Sequence, residues 1–286
     1  MIHPVTEINW REKSEAIDLL LDNSGSVTVV PLDSGLEAEV AKIGLQETSF
    51  ALKVWNKASK PHVESQYKLL KALYDKGLPV SQPLGWGTDR EANPVLLTSF
   101  DGTPVTKVDR SVLALLAKTL SEIHRFPTEP LDGSILRQYD FIDYFYPNME
   151  RHEDLHRLLA RLVALGDMRQ TKLIHGDFNL GNVLEAEGTY TVIDWTNGQY
   201  GDPRYDIAWS IVLVRIYVGP KYGDMYKAAF LSEHPYTPDE LELFEAIACL
   251  RWILLNRIAD LPKGKQTIAR VTSILKSNIH LHEKLL

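Results

Sequence analysis

The chain has 286 residues, of which 44% are hydrophobic and 24% are charged, so its length and composition suit one large or two modest globular domains. Its formal net charge is −7, from 31 Lys and Arg against 38 Asp and Glu. Proteins that bind nucleic acid through phosphate contacts are usually basic. The composition therefore argues against a nucleic-acid partner.

The single cysteine, Cys249, excludes a disulfide within one chain and a zinc site built from cysteines. The most apolar run, residues 207–214, is bounded by Asp206 and Arg215, so no segment of 18 residues suits a membrane span. The first 15 residues lack the apolar stretch of a signal peptide. We expect a cytoplasmic protein without a membrane partner. The oligomeric state is left open by the sequence.

The first hundred residues have the pattern of a sheet with one helix. Segments rich in Val, Ile and Phe, separated by Gly-containing turns, predict strands. The predicted strands are residues 26–33, 36–43, 48–55 and 94–99. Apolar residues recur at helical spacing between residues 61 and 76, which predicts one helix.

Beyond Asp101, helical periodicity dominates. The predicted helices lie around residues 109–125, 150–168, 205–218 and from 238 to the end. A pair of short strands near 183–193 is the exception. Strands followed by helices predict an α+β protein in two lobes, 1–100 and 101–286, with a short hinge near 99–104.

A Gly-punctuated turn at residues 175–182 (HGDFNLGN) carries the strongest chemical signal. Asp177 and Asn182 are five residues apart in it, and Asp194 follows the predicted strand pair. If that pair is a hairpin centred on Gly188, Asn182 lies opposite Asp194, and three oxygen-bearing side chains converge. Such a set suits Mg²⁺ that holds a polyphosphate, and it leaves one carboxylate to accept a hydroxyl proton.

Phosphoryl-transfer sites of this layout also use a lysine on the third N-terminal strand and a helix glutamate that pairs with it. Lys53 lies on the predicted strand 48–55, and Glu64 lies early in the following helix. The upstream turn that contains Ser34 and Gly35 is where we expect a loop covering the phosphates.

Together these segments resemble the small-molecule branch of the protein-kinase-like fold, which includes the aminoglycoside phosphotransferases, the choline kinases and their relatives. The resemblance spans about residues 26–215. It rests on the Lys53 strand, LSEIH at 120–124, HGDFNLGN at 175–182, IDW at 193–195 and GDPRYD at 201–206. It implies a small antiparallel sheet in an N-terminal, nucleotide-binding lobe and a mainly helical C-terminal lobe with the catalytic loop and the acceptor site.

The resemblance implies a role for each matched residue of the catalytic segments. Asp177 is implied as the catalytic base, and Asn182 and Asp194 are implied as ligands of Mg²⁺. His175 and Asp206 are implied as structural supports of the catalytic loop. The implied reaction is transfer of the γ-phosphate of ATP, with GTP as an alternative donor, to a hydroxyl of a small molecule.

The nucleotide is implied to lie between the lobes. Lys53 would contact its α- and β-phosphates and pair with Glu64, and the adenine would lie near the strand end at 97–100. The implied cofactor-binding residues are Lys53, Glu64, Ser34, Gly35, Ser99 and Phe100.

Two departures from protein kinases favour a small-molecule acceptor. Protein kinases have Asp-Phe-Gly at the second metal ligand and several glycines in the phosphate loop. Here the metal segment is Asp194-Trp195-Thr196, and the phosphate turn keeps only Gly35. Both features favour a kinase for an aminoglycoside-like antibiotic or for an amino-alcohol metabolite such as choline.

The sequence leaves the acceptor open between these classes. Residues 201–250 contain eight acidic and four basic side chains, which could line a pocket for a cationic aminoglycoside. Alternatively, aromatic side chains could form a cage for a quaternary ammonium. The candidates for this cage are Trp195, Tyr200, Tyr205, Trp209 and Trp252. Solvated helix faces and core aromatics explain both patterns equally well.

Two hypotheses from other functional classes also remain. One is a nucleotide-binding module that binds Mg-ATP without turnover. The other is a zinc hydrolase, because His152 and His156 in the HEDLH segment have the spacing of two zinc ligands on one helix face. The flanking Arg151 and Arg157 favour a solvated helix face instead.

Overall fold

The computed structural model describes residues 5–32, 38–55, 61–129, 131, 133–259 and 261–286. The chain divides into two compact units. The first unit comprises Met1–Pro104 and Val183–Thr196, and the second comprises Val105–Asn182 and Asn197–Leu286. Asp177 and Asn182 therefore belong to the second unit, and Asp194 belongs to the first.

The first unit is built on a six-stranded antiparallel sheet with the strand order β1-β5-β6-β4-β3-β2. The strands are β1 (Asn9–Lys13), β2 (Thr28–Pro31), β3 (Ala38–Leu45), β4 (Thr48–Trp55), β5 (Pro83–Thr88) and β6 (Pro94–Ser99). The helices of this unit are α1 (Glu15–Asp22) and α2 (Val63–Asp75). A core that includes Ile17, Leu52 and Leu97 joins the sheet to α1.

Helix α1 and strands β1 and β5 correct the prediction of one helix and four strands. Helix α1 spans eight residues, and its first turn carries Glu15 and Asp18, which suit the positive end of a helix dipole. Strand β5 is not predicted from the sequence because half of its residues, Pro83, Gly85 and Gly87, are of types that are rare in strands. Among its described residues, the first unit therefore has two α-helices beside a six-stranded sheet.

A small second sheet brings the segment after the catalytic loop into the first unit. It has the order β10-β9-β7, with β7 at Thr103–Pro104, β9 at Val183–Ala186 and β10 at Thr189–Val192. Thr103 pairs with Glu185, and the amide of Val192 donates to the carbonyl of Pro79. These bonds join residues 183–196 to the N-terminal part of the chain. The predicted lobe boundaries, 1–100 and 101–286, assign these residues to the helical lobe.

The register of the β9–β10 hairpin differs by one residue from the predicted one. Val183 pairs with Val192, so the loop consists of Glu187 and Gly188 alone. Both loop residues have positive φ, 52° and 81°, which is the backbone of a type I′ turn. The ladder ends at Val192, and a hairpin centred on Gly188 with Asn182 opposite Asp194 is therefore wrong.

The second unit is mainly helical. Its helices are α3 (Arg110–His124), α4 (Phe141–Phe145), α5 (Glu153–Leu165), α6 (Pro203–Tyr217), α7 (Pro220–Glu233), α8 (Pro238–Ile258) and α9 (Thr267–Ser277). Two short strands, β8 (Lys172–Ile174) and β11 (Gln199–Gly201), pair antiparallel. Its core joins side chains of α4, α5, α6, α8 and α9, among them Trp209, Phe244 and Trp252.

The helix ends follow local sequence signals. Asp202 caps α6 by accepting from the amide of Arg204, and Pro203 occupies its first turn. Thr237 and Glu240 form a capping box at the start of α8. The periodic stretch predicted from 238 to the end is interrupted after Ile258, and α7 was not predicted. The α+β class predicted from the sequence is confirmed.

None of the helices that the structure describes combines the length and the apolar character that a bilayer span requires.

Candidate active site

The predicted catalytic loop, residues 175–182, lies in the second unit after strand β8 and is held at its start by Asp206 of α6. The amide of His175 donates to Oδ2 of Asp206 at 2.8 Å, and the amide of Gly176 donates to Oδ1 at 2.9 Å. His175 and Asp206 are both fully buried. The ring Nδ1 of His175 in turn accepts from the amide of Asp177 at 3.2 Å.

His124, at the end of α3, completes this buried group. Its Nε2 lies 3.0 Å from Oδ2 of Asp206. Burial would raise the pKa of Asp206, but the hydrogen bond and charge of His124, together with His175, hold it below its ordinary value. In the sequence, His124 is part of the LSEIH segment and has no predicted role of its own. The structure shows that it shares the carboxylate that holds the loop.

Asp177 accepts hydrogen bonds on both carboxylate oxygens. The indole Nε1 of Trp209 donates to Oδ1 at 2.7 Å, and Nδ2 of Asn182 donates to Oδ2 at 3.2 Å. The same Nδ2 donates to the main-chain carbonyl of Asp177 at 2.9 Å. Because the Asn182 amide group points its nitrogen at Asp177, its Oδ1 is directed elsewhere and is suited to a metal ion.

Lys53 and Asp194, two of the predicted site residues, lie in the first unit. Lys53 lies on the central strand β4, between Val40 of β3 and Leu96 of β6. Its Nζ lies 2.8 Å from Oδ1 of Asp194, and both side chains are partly exposed. Oδ1 of Asp194 also accepts from the hydroxyl of Thr196 at 2.8 Å. Asp194 has a left-handed backbone with φ of 61°.

Glu64 does not pair with Lys53 in the described structure. It lies in the first turn of α2, its side chain is 53% exposed, and it pairs with Lys68 one helical turn later at 2.6 Å. The predicted Lys53–Glu64 pair is therefore replaced by two pairs, Lys53 with Asp194 and Glu64 with Lys68.

Ser99 and Phe100 end strand β6. Ser99 exchanges hydrogen bonds with the backbone of Gln82, and its hydroxyl donates to Asp101 at 3.0 Å. The amide of Phe100 donates to the carbonyl of Ser49. Ser34 and Gly35, the predicted phosphate-loop residues, lie outside the described residues.

The donor chemistry of the chain fits a hard divalent cation. Asn182 offers an amide oxygen and Asp194 a carboxylate, and Mg²⁺ prefers such oxygen ligands. Within the described ranges, no three His, Cys, Asp or Glu side chains are grouped so that they could hold a metal ion. His152 precedes the first residue of α5 and His156 is exposed on it. The structure thus supplies no third ligand for the zinc hypothesis from the described residues.

The acidic-pocket hypothesis is not supported by the contacts of residues 201–250. Seven of its eight acids have hydrogen-bond or ion-pair partners within the chain. Asp224 and Glu245 both pair with Arg215, for example, and Glu245 also pairs with Lys227. The excess of acids mostly reflects internal pairing.

The aromatic-cage hypothesis is also contradicted for four of its five members. Trp195, Tyr205, Trp209 and Trp252 are all at most 3% exposed, and only Tyr200 is partly exposed. The guanidinium of Arg251 lies 4.2 Å from the ring centroid of Trp209. One face of the Trp209 ring is therefore already covered by an internal cation.

Comparison with known proteins identifies the family. The sequence profile of the phosphotransferase enzyme family, named APH, matches residues 28–244, which is about three quarters of the chain. The chain belongs to this family. The matched region contains the catalytic loop, Lys53, Asp194 and Asp206. The family predicted from the sequence is confirmed.

A curated relative of this APH family member is the acyl-CoA dehydrogenase family member 11 of Gallus gallus, which is 25% identical over 178 residues. The match covers 52% of this chain and 22% of the relative. A second relative is the acyl-CoA dehydrogenase family member 10 of Mus musculus, of which the match covers 16%. The chain thus spans about a fifth of the length of these curated relatives.

Three solved structures share the fold of this APH family member. A thermostable mutant of aminoglycoside phosphotransferase APH(4)-Ia, bound to AMP-PNP and hygromycin B, has a TM-score of 0.67 and 19% identity and covers 92% of this chain and 98% of its own. Amicoumacin kinase hAmiN, in complex with AMP-PNP, Ca²⁺ and Ami, has a TM-score of 0.65 and 16% identity, and the match covers 90% of this chain and 91% of that chain. Choline kinase LicA from Streptococcus pneumoniae has a TM-score of 0.64 and 17% identity, and the match covers 92% of this chain and 97% of that chain. The predicted kinase-like fold is confirmed.

Proposed function

We propose that this chain transfers the γ-phosphate of ATP to a hydroxyl group of a small molecule, with Asp177 as the catalytic base. The observation that carries the proposal is the anchoring of Asp177. Asn182 donates to both its carboxylate and its main-chain carbonyl, and Asp206 holds the two residues before it. Such anchoring supports a side chain that must meet a hydroxyl in a fixed orientation.

The proposed chemistry is a single in-line displacement. The acceptor hydroxyl donates its proton to the carboxylate of Asp177 while its oxygen forms a bond to the γ-phosphorus. The bond between that phosphorus and the β,γ-bridging oxygen breaks, and ADP leaves with the electron pair. A positioned base typically contributes about 10²- to 10⁴-fold to such a step.

Lys53 and Asp194 are proposed to bind the nucleotide from the first unit. The ammonium of Lys53, held by Asp194, supplies a positive charge for the α- and β-phosphates. Asn182 and Asp194 are the proposed ligands of Mg²⁺, which when bound neutralises part of the polyphosphate charge. Glu64, Ser99 and Phe100 stay predictions as nucleotide-binding residues, as do Ser34 and Gly35.

The acceptor is proposed to be an aminoglycoside-like compound or an amino alcohol such as choline. Support comes from the names of the structural neighbours, which include an aminoglycoside phosphotransferase with hygromycin B and a choline kinase. The acids of residues 201–250 are mostly paired within the chain, and the aromatic side chains proposed for a cage are mostly buried. Neither the acidic pocket nor the aromatic cage therefore favours one acceptor class over the other.

The test combines nucleotide binding with an acceptor screen. Saturating Mg-ATP, at about a hundred times its dissociation constant, should stabilise the protein by about 2.7 kcal/mol. The midpoint of thermal unfolding should then rise by several degrees, at about 2–4 °C per kcal/mol for a chain of this size. ADP formation should follow when a panel of aminoglycosides and amino alcohols is added, with GTP run in parallel as donor.

The outcomes separate the hypotheses. A thermal shift together with acceptor-dependent ADP formation supports the kinase. A thermal shift with no transfer to any member of the panel, or to water, supports the nucleotide-binding module instead. No shift with either nucleotide contradicts the proposed donor, and about one zinc ion per purified chain would favour the hydrolase hypothesis.

A further inference from the structure

Helix α6 brings a second side chain to the catalytic loop besides Asp206. Trp209 lies three residues after Asp206 and therefore on the same face of the helix. Its Nε1 is 2.7 Å from Oδ1 of Asp177, and the whole residue is only 3% exposed. One helix face thus holds the loop backbone through Asp206 and the carboxylate of Asp177 through Trp209.

The bond from Trp209 is directional. An indole nitrogen can only donate a hydrogen bond, so a buried Trp209 favours an acceptor that carries negative charge. Asn182 donates to the other oxygen, Oδ2, at 3.2 Å. These donors, one on each oxygen, fix the plane of the Asp177 carboxylate. Because each carboxylate oxygen has two lone pairs, these hydrogen bonds do not prevent the carboxylate from accepting a proton.

Arg251 of α8 holds the indole ring from its face. Its guanidinium lies 4.2 Å from the ring centroid of Trp209 and 4.7 Å from that of Phe145. Its Nη1 donates to the carbonyl of Gly176 at 2.9 Å and to the hydroxyl of Tyr205 at 3.1 Å. The same side chain therefore fixes the ring and the backbone carbonyl next to Asp177.

The charge of Arg251 is retained although the residue is only 8% exposed. Burial opposes the charge, but the hydroxyl of Tyr205 and the carboxylate of Asp177 keep the pKa of the guanidinium above its ordinary value. The ring of Trp209 contacts this cation through its face and the carboxylate of Asp177 through the N–H at its edge, so its rotation is restricted by a stacked charge as well as by packing.

We propose that Trp209 is a positioning residue, which orients the carboxylate of Asp177 through its indole N–H and is itself held by Arg251. This inference rests on the proposed function of Asp177 as the base. It also assigns Trp209 a role other than acceptor recognition, because its N–H is bound to Asp177 and Arg251 covers a ring face.

The contact is tested directly by the indole N–H signals in a ¹⁵N–¹H correlation spectrum. The chain has six tryptophans, and Trp209→Phe identifies the signal of Trp209 by its loss. That signal should shift in Asp177→Asn. The indole of Trp252, which donates to the hydroxyl of Tyr217 at 3.1 Å, is identified in the same way and should not shift. An unchanged Trp209 signal in Asp177→Asn overturns the proposal.

The positioning role is tested by steady-state kinetics of ADP formation, with water as the acceptor or with an acceptor found in the screen. Trp209→Phe keeps the ring and removes the N–H, so kcat should fall on the order of 10-fold while KM for ATP stays the same.

Trp252→Phe is the matched control, since it removes another buried indole N–H from the same core without touching Asp177. Equal kcat in the two variants overturns the proposal. If the spectrum shows the contact but the wild-type chain forms no ADP under any condition, the proposed function fails while the Trp209–Asp177 contact stands.

Discussion

Nζ of Lys53 lies 2.8 Å from Oδ1 of Asp194, whereas the predicted partner Glu64 pairs with Lys68 at 2.6 Å. The same Asp194 oxygen accepts from Thr196, so the carboxylate is held from two sides within the first unit. Lys53 is thus oriented by the residue proposed to bind the metal.

The first prediction concerns nucleotide affinity. Asp194→Asn should weaken Mg-ATP binding by at least about 10-fold, because it replaces a charged proposed metal ligand with a neutral amide and removes the charge that holds Lys53. Titration calorimetry with Mg-ATP measures the change. Asp75→Asn is the control, since Asp75 is an exposed acid paired with Lys71 on α2. Equal affinity of Asp194→Asn and wild type would remove Asp194 from the nucleotide site.

The same titration tests the predicted role of Glu64. An exposed pair one helical turn apart contributes only about 0.3–0.5 kcal/mol. The affinity of Glu64→Gln for Mg-ATP should therefore stay within about 2-fold of that of wild type if Lys53 keeps Asp194 as its partner. A loss as large as that of Asp194→Asn would show that Lys53 changes to Glu64 when the nucleotide binds.

The second prediction concerns the stability of the catalytic loop. Asp206→Ala leaves the amides of His175 and Gly176 and the ring of His124 without their buried acceptor, so we expect a loss of roughly 3–5 kcal/mol in the free energy of unfolding. Asp224→Ala, which removes an exposed partner of Arg215, should change it by less than about 0.5 kcal/mol. Denaturant unfolding with equal midpoints for both variants would refute this account of Asp206.

The third prediction compares two glycines with positive φ. Gly176 has φ of 78°, and a Cβ there would come within 2.7 Å of the carbonyl oxygen of Asn197. Gly188 has φ of 81°, with no atom within 4 Å of such a Cβ. Gly188→Ala should cost roughly 1–2 kcal/mol of backbone strain. Gly176→Ala should cost roughly 1–3 kcal/mol more because of the steric contact.

Thermal unfolding of the two glycine variants decides this point. We expect a lower midpoint temperature of unfolding for Gly176→Ala than for Gly188→Ala. Identical midpoint temperatures would mean that the loop can move away from Asn197 without a loss of stability.

The fourth prediction concerns pH and His234. Burial, together with the charges of His124 and Arg125, lowers the pKa of His234 to about 4. Between about pH 6.5 and pH 4 the unfolded chain binds a proton at this site that the folded chain does not. The free energy of unfolding should therefore fall as the pH is lowered through this range, by on the order of 2 kcal/mol.

His234→Asn should show a smaller fall in stability between pH 7 and pH 4.5, measured by urea unfolding. His156→Asn, on the exposed face of α5, is the control. If His234→Asn loses as much stability as wild type over this range, His234 does not contribute to the acid sensitivity.

Elements with a clear period were predicted well. The bounds of β4 and β6 agree with the structure, and the predicted helix at 61–76 contains α2, because alternation and helical spacing are read from neighbouring residues. The hairpin register was missed by one residue because it depends on the backbone of Glu187 and Gly188 and not on the hydrophobic pattern.

The predicted catalytic loop can be recognised from the sequence because its residues are close together in the chain. Asp177 and Asn182 form one motif, and the structure joins them by hydrogen bonds. The partner of Lys53 lies 141 residues away, and Trp209 has the sequence surroundings of an ordinary core aromatic. Such contacts arise from tertiary packing, and no local pattern distinguishes them.

The central claim is that Asp177 acts on the acceptor hydroxyl and not on the nucleotide. It is tested most directly by comparing wild type and Asp177→Ala in two assays, Mg-ATP affinity and ADP formation with an acceptor from the screen. We predict that transfer is abolished while the affinity for Mg-ATP is retained within a few-fold. Unchanged turnover in Asp177→Ala would contradict the assignment of the base and with it the proposed mechanism.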